Sequence, residues 1–172
     1  MNNLVFNNVL RFVLLVFLQV FLLNNIRFLG TINPNVYLLF ILMLPFRLSG
    51  WITLVIAFVT GMTIDIFNST IGLHTSAALF TAFVRPAVIK LVGDKAEYTP
   101  TSQPSIKEMG LNWFASYAGI LTLIHSLVLN FLDVFSFSEF FRTLFMAILS
   151  AVITMVFILS LQYAFPGRNT KN

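Results

Sequence analysis

Six apolar stretches alternate with short polar connections along the chain. The first runs from Val9 to Leu23 with Arg11 and Gln19 inside it, and ends at Asn24-Asn25. About 20 residues are needed to cross the hydrocarbon of a bilayer, so the pattern predicts a spanning helix from near Asn7 to Ile26. No small-residue cleavage site follows it, which predicts that it is retained. The second run, Val36 to Phe46, is short. Pro34 suits its first helical turn, and Pro45 lies near its end. Trp51 to Phe67, Leu73 to Val92, Leu111 to Leu132 and Phe140 to Phe165 follow as the third to sixth runs. Inside the fourth, Arg85-Pro86 predicts a kink, or an end to the membrane part at Val84. Gly93 to Glu108 is the longest polar segment, and its prolines, serines and threonines predict a loop.

Composition agrees with this pattern. Of 172 residues, 58% are hydrophobic and 9% charged, against about 25% charged in a soluble domain. The expected architecture is an all-α integral membrane protein, one six-helix transmembrane domain over residues 1–172 with a cytoplasmic loop near 93–108. The 20 phenylalanines suit lipid-facing and interfacial positions. The absence of cysteine excludes disulfides, thiolate metal sites and a cysteine nucleophile.

Charge placement predicts the orientation. With both termini cytoplasmic, Arg47, Lys90, Lys95, Lys107, Arg168 and Lys171 lie on the inner side, with Arg11 and Arg85 near it. Only Arg27 and Arg142 lie on the opposite side, as the positive-inside rule requires. The connection between the third and fourth runs then faces outward.

That connection holds the most specific chemistry in the chain, F-V-T-G-M-T-I-D-I-F-N-S-T-I-G-L-H-T-S-A-A from Phe58 to Ala78. Asp65 stands inside an apolar run one helical turn after Gly61. A carboxylate there is costly unless it is paired, hydrated or buried against protein. Gly61 permits close approach of another backbone. Asp65 is expected either to bond the turn or the start of the fourth helix and so shape a partner's site, or only to cap Asn68-Ser69-Thr70. Structural stabilisation is the favoured role. Gly72 suits a tight start to the fourth helix. His74 and His125 have no metal-ligand spacing, and interhelical hydrogen bonding is expected of both. Asn68-Ser69-Thr70 matches a glycosylation sequon, discounted for so tight a turn. Arg85 is expected to snorkel to headgroups. Arg11 and Gln19, eight residues apart, fall on nearly one helix face and suggest an interhelical contact. No nucleophile elbow, zinc-protease motif or phosphate-binding glycine loop is present.

The Phe58–Ala78 stretch resembles the MreD family of bacterial rod shape-determining membrane proteins. The resemblance lies in a glycine, an aspartate closing a helix, a short turn and a G-L-H-like helix start: here Gly61, Asp65, Gly72, Leu73 and His74. Size and the six-run layout agree over nearly the whole chain. The resemblance implies a non-enzymatic subunit of the cell-elongation complex in the bacterial inner membrane, supporting cell shape and lateral peptidoglycan synthesis. The implied partners are an MreC-like single-span protein and, alongside it, a RodA-type glycosyltransferase, its transpeptidase partner and actin-like MreB. The implied fold is like that of energy-coupling-factor transporter substrate-binding subunits. The lipid bilayer is the expected environment, and no cofactor, metal or nucleic acid is expected. Two further readings stand beside the scaffold: a vitamin-type transporter subunit with a ligand between its helices, and a membrane enzyme, which requires Asp65, His74 and His125 to converge.

Overall fold

The computed structural model describes residues 2–25, 33–93, 102–134 and 139–164. The expected positions of Arg27, Lys95, Arg168 and Lys171 lie outside the described residues. The elements are α1 (Asn2–Phe17), α2 (Leu38–Leu42), α3 (Gly50–Asn68), α4 (Leu73–Val92), α5 (Ile106–Met109), α6 (Leu111–Val134) and α7 (Phe140–Ala164). Four of them, α3, α4, α6 and α7, are long and apolar enough to cross a membrane, which marks the chain as a membrane protein. A π-helical stretch, Leu18–Leu22, and a 3₁₀ turn, Leu23–Asn25, carry α1 onward.

The helices are built inside out relative to a soluble bundle. The buried stripe of α3 is Thr53, Ala57, Thr60, Gly61, Ile64 and Asp65. That of α7 includes Thr143, Ala147, Ser150, Ala151 and Thr154. Larger apolar side chains such as Val55, Val59, Met62 and Ile66 face outward. In lipid there is no hydrophobic force between helices, so small side chains and polar contacts hold them together. α4 is central, packing against both α3 and α6, and α7 packs on α6.

The second apolar run departs from expectation. It forms no spanning helix: α2 has only five residues, and the chain from 34 to 44 is buried throughout. Val36, Tyr37, Leu38, Ile41 and Leu42 have no exposed surface. α2 touches α1, α3, α4 and α6, so the segment runs through the middle of the bundle. Such backbone is tolerated at membrane depth only where protein satisfies its polar groups, and here side chains do so. At one end, Asn35 N donates to Thr154 Oγ1 (3.0 Å), and Val36 N donates to Gln19 Oε1 (2.8 Å). At the other, Tyr117 Oη donates to the Leu42 carbonyl (2.9 Å), and Arg85 Nη2 donates to that of Leu44.

Arg85 corrects a second expectation. It does not snorkel: it is 3% exposed, and its Nε donates to Tyr117 Oη at 2.7 Å. α4 continues through Pro86 to Val92. The expected loop at 93–108 also contains structure. Ser105 Oγ accepts from Glu108 N (3.2 Å) and caps α5, while Glu108 Oε2 accepts from Gln103 N (2.9 Å). Arg11 donates to Gln103 Oε1 (3.1 Å), so it and Gln19 both bond within the chain.

Candidate functional site

The five residues singled out between Gly61 and His74 fall in one hairpin. α3 ends with Ser69 in the left-handed region (φ 55°), and both Ser69 N and Thr70 N donate to the Asp65 carbonyl. Gly72 precedes α4 at φ 75°, a conformation that costs glycine little and other residues more. Leu73 opens α4. The Asp65 carboxylate then reaches across. Its Oδ1 accepts from Thr70 Oγ1 (2.6 Å) and His74 N (3.0 Å). Its Oδ2 accepts from Thr75 N (2.9 Å) and Thr75 Oγ1 (2.6 Å). The first amides of a helix lack intrahelical partners, and Asp65 supplies an acceptor for two of them in α4. A carboxylate has about four acceptor positions, and four donors occupy this one.

Gly61 makes that reach possible. A Cβ placed there would lie 2.5 Å from Thr75 Cα and 2.9 Å from the His74 carbonyl oxygen. The two backbones therefore touch where Asp65 bonds α4. The glycine and the aspartate are two parts of one contact.

The two histidines meet through a residue the sequence reading did not single out. Tyr37 Oη lies 3.2 Å from His74 Nδ1 and 2.7 Å from His125 Nε2. His74 Nε2 lies 3.2 Å from Asn68 Nδ2. Asn24 Nδ2 donates to Asn68 Oδ1, and Gln19 Nε2 donates to Asn24 Oδ1 (3.0 Å) and to the Pro34 carbonyl (3.0 Å).

This chain of bonds has a fixed direction. Val36 N–H can only donate, so Gln19 Oε1 accepts and Gln19 Nε2 donates onward. Asn24 then accepts at Oδ1 and donates from Nδ2, and Asn68 does the same. His74 Nε2 must accept, which places the His74 proton on Nδ1. His74 Nδ1–H donates to Tyr37, Tyr37 Oη–H donates to His125 Nε2, and the His125 proton sits on Nδ1. That last donor is buried and has no hydrogen-bond partner among the described residues. Gln19 and Tyr37 lie in apolar runs, and a polar group in such a run was the one signal available for finding them.

Beside this network, a cavity of about 480 Å³ opens at the end of the bundle where α3 turns into α4 and α6 gives way to α7. Asn24, Asn68 and His74 form part of its wall. Among the described residues, no group of three or more His, Cys, Asp or Glu side chains is arranged to hold a metal ion. No protein-family profile, curated protein or solved structure matches the chain.

Proposed function

We propose that this chain is a non-enzymatic, six-span subunit of the cell-elongation complex of a bacterial inner membrane, with both termini cytoplasmic, and that it binds an MreC-like single-span helix. One observation carries the reading. Gly61 and Asp65 of the MreD-like stretch are turned inward and consumed in joining α3 to α4, and the opposite face of α3 is left as a continuous apolar ridge. Val55, Val59, Met62 and Ile66 follow each other at helical spacing on that ridge and are each about half exposed or more. A rigid hairpin presenting a helical ridge suits docking of another membrane helix.

The test is affinity purification of tagged protein from mild-detergent membranes, beside a variant with alanine at all four ridge positions. We expect a single-span MreC-like protein to co-elute with the native chain and to be lost from the ridge variant. Equal recovery from both would move the contact to another face, and absence of any such protein from the native sample would end the reading. The cavity favours a second reading, a transporter's substrate-binding subunit, which co-elution of ATPase subunits would support.

A further inference from the structure

The cavity is built for hydrogen bonding. Asn24, Asn33, Asn35, Asn68 and Asn130 line it with five amides, and Thr70, Thr143 and Ser150 add hydroxyls. Part of this lining is already committed. Asn24 and Asn68 bond each other, His74 is held by Asn68 and Tyr37, and Thr70 is held by Asp65. These residues make a fixed wall. Other groups are still able to bond. Asn130 spends its amide nitrogen on the Ser126 carbonyl (2.8 Å), which leaves Oδ1 to accept. Thr143 also lines the cavity, but its Oγ1 has almost no accessible surface, which leaves Asn130 Oδ1 as the acceptor open to a ligand.

Charge and shape narrow the class of ligand. Arg142, the cation in the lining, is bonded to Glu139 at 2.8 Å. Asp133 also lines the cavity, so among the described lining residues two carboxylates stand against one guanidinium, which disfavours anions. Leu73, Leu129, Val134 and Met146 supply an apolar side. The volume lies within the roughly 300–1,000 Å³ of small-molecule sites.

We propose that this cavity binds a small neutral molecule that carries several hydroxyl or amide groups around an apolar face, in the manner of a sugar, an N-acyl sugar or a nucleoside. The inference stands beside the partner-binding reading and does not rest on it, since a cavity can be filled whether or not the α3 ridge docks a helix. On the expected orientation the site opens outward.

The test uses the full chain in detergent, with thermal unfolding and equilibrium dialysis. The probes are glucose, N-acetylglucosamine, uridine and nicotinamide, with glucuronate and glucose 6-phosphate as anionic counterparts. A ligand that binds only the folded state raises its melting temperature. We expect at least one neutral probe at millimolar concentration to raise it by about 3 °C or more, with no rise from the anions. Asn130→Leu keeps the volume and removes the free acceptor. It should bind that probe at least tenfold more weakly while its own melting temperature stays nearly level. Three results would each overturn the proposal: no neutral probe binds, the anions bind equally well, or Asn130→Leu binds as the native chain does. Failure of the ridge experiment would leave all of these readouts intact.

Discussion

Two regions of this protein solve the same problem in opposite ways. Both the α3–α4 hairpin and segment 33–46, buried from 34 to 44, bring backbone polar groups out of helical pairing at membrane depth. In the hairpin, one residue, Asp65, satisfies the turn's amides with its carbonyl and the start of α4 with its carboxylate. In the segment, separate side chains satisfy one to three groups each, from sequence distances of 17 (Gln19), 41 (Arg85), 75 (Tyr117) and 119 residues (Thr154). The hairpin is a local, self-contained joint. The segment closes its own short turns, but its place in the bundle is fixed by side chains from far along the chain. Damage to the first should therefore be concentrated in two residues, and damage to the second spread thinly over many.

The sharpest way to break this comparison is Gly61→Leu. A Cβ there meets backbone atoms, which cannot yield as a flexible side chain can. We expect loss of monodisperse protein by size exclusion, beyond the roughly 1–3 kcal/mol usual for overpacking. Normal yield and melting would show that α3 and α4 do not touch there. Asp65→Asn comes next. It keeps the shape but turns an NH₂ group toward two of the four donors, and should destabilise by about 1–3 kcal/mol in denaturant or thermal unfolding. An unchanged midpoint would mean the carboxylate is not the acceptor described.

On the other side of the comparison, Gln19→Leu removes the acceptor for Val36 N and Tyr37 N and the donor to Asn24 and the Pro34 carbonyl. With the neighbouring bonds left in place, the expected loss is about 1–2 kcal/mol, smaller than for Asp65. A loss as large as that of Gly61→Leu would show the segment to depend on one residue after all. Tyr37→Phe should have the smallest effect on stability, about 0.5–1.5 kcal/mol, but a clear spectroscopic one. In ¹⁵N-histidine NMR the native chain should show His74 and His125 both protonated at Nδ1, and the variant should lose that fixed assignment. An Nε2-protonated His74 in the native protein would contradict the direction of the bond chain.

The same contrast explains what the sequence disclosed. The four long helices were legible because each carries a predominantly apolar run of spanning length. The Asp65 joint was legible because all its parts lie within about fifteen residues, and an acid in an apolar run demands an account. The second run was misread because its apolar composition is that of any buried chain. Whether such a run spans as a helix or threads through a bundle depends on residues far away. Arg85 was misread for a related reason: a cation near a helix end can reach headgroups or a carbonyl, and the position of Leu44 decides which. Tyr37 could not be ranked above other aromatics, since its role arises only where α4 and α6 bring their histidines to it.

The long reach of the bonds that hold segment 33–46 also sets an order of events during synthesis. When residues 33–46 leave the ribosome, Arg85, Tyr117 and Thr154 have not yet been made. Eleven buried residues are too few to cross the bilayer as a helix in their own right. The segment must therefore wait at the membrane surface and take its place last, after the helices that follow it. Because the chain has no cysteine, one introduced at Ile41 reports on this directly. It should react with a water-soluble maleimide in nascent chains stalled before α6 and become protected once α7 has emerged. Protection already present before α6 would mean that the segment finds its place without them.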